Sequence, residues 1–324
     1  MKQTTIFVST VLALFAASLC AGAEGRGGQP AAFRDLEIGG RPSAMGGAFT
    51  ALAEGSAGQL YNPAGLAQLY SYGAGFSYRA MKLDRRLGYV SGAVPAKENA
   101  VLSFSWLYAG SPDLESRDEQ GNIIDGENIS YSENLIGITF AKRFIPELLL
   151  GGRVFYVQNN IATISAYTVG VDIGGLVKLD MRKTFLKKTF PLLQAGLAID
   201  NLGANYRWST GKYWMARGRE QGATVDETFP ANFRTGIAFM RPGLYTIASD
   251  LEINAAGMVK THVGGEYTYA RLLSLRAGLD QGHPTFGIGI FKKLPAFALW
   301  VDFSYLMNKV GEGDDLLISF DAAF

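Results

Sequence analysis

The chain has almost no cysteine. Cys20 is the only one among 324 residues, and it stands in an N-terminal stretch that reads as a leader. A mature chain without cysteine has no disulfide, no thiolate nucleophile and no zinc–thiolate site. Histidine is nearly as scarce, with two in all, and His262 and His283 are too far apart in sequence to suggest a metal cluster. There is no excess of one charge: 30 basic and 29 acidic residues give a formal net charge of +1. Nucleic-acid binding, which wants a basic excess, is not indicated. Beyond the leader, long apolar runs are also missing, and nothing reaches the roughly 18 residues that a membrane helix needs.

The leader itself opens with Met1-Lys2, runs apolar from Ile6 to Leu19, and carries the small-x-small triplet Ala21-Gly22-Ala23 before Glu24. This predicts a secretory signal peptide over 1–23, cleaved after about Ala23. Lipidation at Cys20 is the alternative, but Leu19 stands where a lipobox wants a small residue. Loss of Lys2 leaves 29 residues of each charge.

What is abundant is glycine (40), phenylalanine (20) and tyrosine (15), in a chain that is 48% hydrophobic. The apolar residues alternate. Tyr70, Tyr72, Ala74, Phe76 and Tyr78 face away from Ser71, Gly73, Gly75 and Ser77. Phe286, Ile288 and Ile290 alternate with Thr285, Gly287 and Gly289. At the C-terminus, Leu316, Ile318, Phe320, Ala322 and Phe324 alternate with residues that include Ser319 and Asp321. Segments of about ten residues with this dyad pattern are the mark of a transmembrane β-barrel. A closed sheet is also the one way to cross a bilayer without helices, because every backbone group is paired between strands. An apolar strand at the carboxy end resembles the terminal strand of bacterial outer-membrane barrels, and it predicts Phe320 and Phe324 facing lipid and Asp321 facing the lumen.

The pattern predicts an all-β fold, a transmembrane antiparallel barrel of about 14 strands over 70–324. The strands fall at about 70–80, 87–95, 99–109, 132–142, 148–159, 164–178, 192–201, 231–240, 244–253, 258–269, 272–280, 284–292, 296–306 and 314–324. The turns check the count. Pro95, Pro146, Pro191, Pro242 and Pro295 all follow even-numbered strands, and Lys97, Arg143, Arg182, Arg241, Arg271, Lys292 and Lys293 gather on the same side. With both termini in the periplasm these are the periplasmic turns, and the longest connections, about 110–131 and 202–230, are extracellular.

Residues 24–69 do not alternate and form a separate N-terminal plug, or hatch, segment. A short helix is predicted over Met45 to Ala53, and a second opening at Pro63 with Asn62 as its cap. A barrel of this size has a lumen too wide for its own side chains, so water or a plug fills it. The run Arg41-Pro42-Ser43-Ala44-Met45-Gly46-Gly47-Ala48-Phe49, followed by Asn62-Pro63-Ala64-Gly65-Leu66, resembles the N-terminal signature of the PorV/PorQ family, within the FadL-like superfamily of outer-membrane barrels. The resemblance implies a hatch inside the barrel, a role that carries over to Asn62, Pro63 and Ala64; Arg41, Gly46 and Gly47 complete the candidate hatch and gating set. It also implies two functions. The PorV/PorQ side implies a protein-binding component of type IX-like secretion, with secretion-machinery or cargo proteins as partners. The FadL side implies passive transport of long-chain fatty acids or other hydrophobic small molecules. The predicted extracellular connections are short for FadL transporters, which favours the first. The expected location is the outer membrane of a Gram-negative-type envelope, in contact with its lipid.

Ten charges are predicted to face inward: Arg79, Arg153, Asp172, Asp200, Arg234, Asp250, Lys260, Glu266, Arg276 and Asp302. They either line a pathway or pair with each other and with the plug. His262 shares that face, and His283 is placed at a loop tip. Trp208, Tyr213 and Trp214 in the 202–230 connection, beside Arg207, form a candidate partner interface or part of an aromatic girdle. Enzyme motifs are absent: Gly75 to Arg79 lacks the last glycine of a nucleophile elbow, and Gly211-Lys212-Tyr213 is not a phosphate-binding loop. No cofactor is expected.

Overall fold

The computed structural model describes residues 29–97, 99–117, 120–215, 222–307 and 313–324; the predicted signal peptide lies outside the described residues. Fourteen antiparallel strands close into one barrel. In chain order they are β1 (Gly73–Ala80), β2 (Arg86–Ala96), β3 (Ala100–Arg117), β4 (Ile123–Ile145), β5 (Leu148–Ile161), β6 (Ile164–Asp180) and β7 (Leu192–Leu202). A separate two-stranded hairpin, β8 (Asn205–Ser209) and β9 (Thr224–Thr228), interrupts the series. The barrel resumes with β10 (Asn232–Arg241), β11 (Tyr245–Asn254), β12 (Val259–Tyr269), β13 (Leu273–Asp280), β14 (His283–Lys293), β15 (Ala298–Leu306) and β16 (Asp315–Ala323). The seam is β1 against β16, in unbroken register from Gly73↔Ala323 to Ala80↔Leu316.

Side-chain alternation explains the closure. Val90, Phe104, Ile138, Val154, Phe286 and Phe303 stand exposed on the outer face, while Ser77, Ser105, Thr139, Arg153 and Ser304 are buried on the inner one. Phe320 and Phe324 are exposed, as expected of lipid-facing residues. Asp321 faces inward, where it accepts a hydrogen bond from the Ser56 amide at 2.8 Å. Among the described residues no helix is long and apolar enough to cross a membrane. The predicted proline-bearing turns all lie at one end, which also holds the start of β1 and the end of β16. We call this the short-turn end and the opposite one the loop end.

Four expectations need correction. The predicted connection 110–131 is mostly sheet: β3 and β4 run on to Arg117 and back from Ile123, with register shifts between Ser111 and Leu114 and between Glu115 and Arg117. Polar residues there pair through their backbones beyond the apolar band, so hydrophobic alternation could not mark them. Part of the 202–230 connection is likewise paired, as β8 and β9. His283 opens strand β14 rather than sitting at a loop tip. The predicted helix over Met45 to Ala53 is displaced to Gly40–Ala44, because Gly46 and Gly47 follow with φ of +65° and +82° and end it. The second prediction holds: Pro63–Gln68 is a 3₁₀ helix, and the Asn62 side chain caps it by accepting from the Ala64 amide at 3.1 Å.

Lipid-face burial makes a depth-dependent prediction. Ile138→Arg, in the apolar band, is expected to destabilise the barrel by about 2–4 kcal/mol, and Ile123→Arg, on the protruding β3–β4 hairpin, by about 0–1 kcal/mol. Urea unfolding of both variants in lipid vesicles checks the difference.

Candidate functional site

Residues 29–69 lie within the closed sheet, touching inward-facing groups of strands on every side. The Gly40 amide donates to Ser319 Oγ on β16 at 2.8 Å. Phe49 and Thr50 amides both donate to Asp250 Oδ2 on β11, at 2.8 and 2.7 Å. Gln59 Nε2 donates to Tyr89 on β2 and Ser103 on β3, at 2.9 and 3.0 Å. A segment that reaches β2, β3, β11 and β16 at once can do so only from the interior. Its apolar side chains fill the same space: Phe49, Leu52 and Tyr61 pack with Ala238, Met240 and Ala248, while Ala64, Leu66 and Ala67 pack with Val101, Leu149 and Leu176.

The inward charges are paired, mostly with one another across the wall and in part with this segment. Asp172 is the hub on one wall, accepting from Arg153 Nε at 2.7 Å, from Arg34 Nη2 at 2.9 Å and from the Asn201 amide at 2.9 Å. Arg79 bridges Asp315 and Glu37 at 2.7 and 3.3 Å. Arg234 bridges Asp200 and Glu252 at 3.0 and 3.2 Å, and Lys260 bridges Glu252 and Asp35, both at 2.8 Å. Arg276 bridges Glu266 and Asp302, both at 2.6 Å. Buried charges demand such partners. Of the paired acids, Glu252 and Asp315 could have been placed by strand parity; Glu37 and Asp35 sit in a segment with no period to read.

The candidate hatch residues separate into three kinds of contact. Arg41 lies between wall and segment: it donates to Glu266 on β12 through Nε at 2.8 Å and to Glu54 through Nη1 at 2.8 Å. Burial alone would lower its guanidinium pKa, but Glu266 and Glu54 outweigh burial and raise it, so the guanidinium stays charged. Asn62 is fully buried; its Nδ2 donates to the Thr50 and Gly175 carbonyls at 2.9 and 3.0 Å. The wall opposite is bare glycine: a Cβ at Gly174 would fall on the Asn62 side-chain oxygen, and one at Gly151 would lie 2.6 Å from the Pro63 carbonyl group. Gly46 and Gly47 have a third role. The imidazole of His262 lies against them, with Nδ1 2.8 Å from the Gly46 carbonyl oxygen and 3.1 Å from Asp280 Oδ1. Glu37, His262 and Asp280 bring three ligand atoms within 4.8 Å of one another, a grouping that the two-histidine count did not foresee. The imidazole there is engaged in clamping the Gly46 turn.

Two cavities flank the segment. One of about 360 Å³ opens at the short-turn end and is lined by Arg41, Glu54, Lys178, Trp300 and Asp321 among others. One of about 440 Å³ lies at the loop end beneath the β8–β9 hairpin, lined by Ala31, Tyr131, Glu133, Tyr206 and Trp208 among others. Of the candidate interface residues, Trp208 is half-buried and donates through Nε1 to Glu227 at 2.8 Å. It stacks edge-on to Tyr206 at 5.6 Å. Tyr213 and Trp214 pair edge-on at 5.0 Å on the short helix Gly211–Met215 and are half-buried.

No protein-family model matches the chain, and no curated protein matches it by sequence. The chain is similar in structure to the CymD monoaromatic hydrocarbon channel, with a TM-score of 0.59 and 13% identity over 89% of this chain and 97% of that one. A Pseudomonas aeruginosa FadL homologue gives 0.59 and 11% identity, covering 89% and 98%. A deltaS2S3 mutant of the TodX monoaromatic hydrocarbon channel gives 0.54 and 13%, covering 88% and 97%. These likenesses show the fold alone, a closed barrel of the kind those proteins have; the PorV/PorQ group is not among these neighbours.

The hub and the glycine wall make separable predictions. Asp172→Asn leaves Arg34 and Arg153 facing each other without a carboxylate, and is expected to lower stability by about 3–5 kcal/mol, read from guanidinium unfolding. Gly174→Val over-packs Asn62 and costs about 1–3 kcal/mol. Gly265→Val, with open space around its Cβ position, serves as the control and leaves the unfolding midpoint near the parent value.

Proposed function

We propose that the protein is a passive channel for hydrophobic small molecules across the outer membrane, with residues 29–69 as its hatch. The observation that carries this reading is a lumen closed at its waist by a segment of the chain itself, with a cavity on either side. The segment pairs with no strand of the sheet. Side-chain bonds and packing hold it, and these can be exchanged without opening the barrel. Its fold-mates include two channels described as carrying monoaromatic hydrocarbons, and we carry that substrate class to this chain as part of the proposal. The short-turn end then faces the periplasm and the loop end the exterior.

Within this reading the hatch residues divide. Asn62, Pro63 and Ala64, buried against the glycine wall, are the fixed end. Arg41 is the movable pin: it borders the short-turn cavity and holds wall and segment together through two carboxylates, one of them on the segment. Gly46 and Gly47 are the hinge, since their positive φ and the lack of side chains let the turn re-form around His262. Protein binding in secretion, the reading drawn from the Arg41 to Leu66 motif, gains no support from Trp208, whose indole is used within the chain.

The test is uptake of radiolabelled toluene, a monoaromatic hydrocarbon, into vesicles whose outer leaflet is lipopolysaccharide, a barrier to apolar solutes. The purified chain is expected to speed entry well above empty vesicles. Arg41→Gln is expected to raise it a further five-fold or so, equal to loosening the closed state by about 1 kcal/mol. Entry at the rate of empty vesicles would sink the channel reading. A rate unmoved in Arg41→Gln would remove Arg41 from the gate.

A further inference from the structure

The loop-end cavity contains polar atoms that the fold leaves without partners. Glu133 is 1% exposed, and its Oε2 has no hydrogen-bond partner among the described residues. Its other oxygen accepts from Asn159 Nδ2, and the Tyr131 hydroxyl lies close to both side chains. Asn159 Oδ1 and the Tyr206 hydroxyl are also buried and unpartnered, and all three residues line this cavity. Three such atoms in one small volume are unusual, because buried polar groups are normally satisfied. All three accept hydrogen bonds; the hydroxyl alone also donates.

The charges around them have one sign. The cavity is lined by two carboxylates, Glu133 and Glu227, and by no Lys, Arg or His among the described residues. The nearby cation, Arg34, is committed to Asp172 and to Asn201 Oδ1, at 2.9 and 2.5 Å. The remaining walls are mostly apolar or aromatic, Ala31, Ile161, Ile164 and Val225 with Tyr131, Tyr206 and Trp208, and the neutral polar residues Gln29 and Thr210 complete them. A buried carboxylate without a counter-charge is costly, and aromatic faces attract cations. A ligand that satisfies every term carries an ammonium group, with several N–H donors, on an apolar body.

We propose that this cavity is a binding site selective for hydrophobic amines in their ammonium form, such as aryl-alkylamines, and that it discriminates against carboxylates. The site rests on the channel reading only in naming what enters; its binding stands on the cavity itself. Glu133 takes the ammonium with Asn159 Oδ1 and the Tyr206 oxygen, Tyr206 and Trp208 flank the charge, and the aliphatic side chains hold the body. Two carboxylates repel an anionic head, so fatty acids are poor ligands here. Part of this was legible beforehand: in the predicted strand 132–142, Ile136, Ile138 and Phe140 face out, which turns Glu133 inward. Its empty valence was not, because it depends on Tyr206 arriving from a distant hairpin.

The experiment compares three molecules of one shape with the purified full chain in detergent: 2-phenylethylammonium, phenylacetate and ethylbenzene. Binding is read by calorimetry and by the fluorescence of the tryptophans. The ammonium is expected to saturate one site and to bind about ten-fold or more tighter than phenylacetate, with the margin shrinking in Glu133→Gln by a similar factor. Tyr206→Phe, which removes only a hydroxyl, gives a smaller loss and guards against misfolding of the Glu133 variant. Equal binding of ammonium and carboxylate, or a folded Glu133→Gln with the parent affinity, overturns the site. The uptake assay separates the two ideas. Ammonium binding without any toluene uptake keeps the site and discards the channel; uptake without ammonium preference does the reverse.

Discussion

A closed sheet of fourteen strands encloses more space than its own inward side chains can fill, and this one lines that space with ionisable groups. Everything inside follows from that combination. Water would solvate the charges but leave a pore. The chain instead sends its own residues 29–69 through the lumen, bearing Arg34, Arg41, Asp35 and Glu37 to meet Asp172, Glu266, Lys260 and Arg79. The same segment places Phe49, Leu52 and Leu66 against apolar positions of the wall. The sheet and its filling are thus complementary in charge and in shape, and neither is a satisfied structure alone.

The two kinds of contact differ in what they allow. Where Gly151 of β5 meets the Pro63 backbone and Gly174 of β6 meets the Asn62 side chain, no space is left between wall and segment, and packing of this kind resists small displacements. Ion pairs at Arg41 have longer reach and can be exchanged for water at the adjoining cavity, since neither Arg41 nor Glu54 is fully buried. Rigidity is therefore concentrated on one side of the lumen and adjustability near the other. That asymmetry is what makes a hatch, rather than a static filling, physically reasonable.

How much of this could be read from the chain depends on the length scale of each interaction. Strand pairing leaves a period of two, and each of the fourteen strands overlaps its predicted segment, with the prolines at Pro146, Pro191, Pro242 and Pro295 gathered at one end. Parity likewise turned Arg153, Asp172 and Arg276 inward. Pairing beyond the apolar band leaves no such trace, so the pattern marks only part of β3 and β4. The cap at Asn62 was legible because capping is local. The clamp of His262 on Gly46 was not, because it joins residues 216 apart. The same holds for the cavity around Glu133, whose walls come from β4, β5, the β8–β9 hairpin and the segment near Ala31.

The seam between β1 and β16 carries one more implication. The inner segment leads directly into β1, yet its Gly40 and Ser56 amides are bonded to Ser319 and Asp321 on β16. The stretch that comes off the ribosome early is therefore completed by the strand that comes last. The segment thus ties together the two strands whose pairing along Gly73↔Ala323 closes the ring. Docking of the segment and zipping of the seam are therefore energetically coupled, each steadying the edge that the other needs.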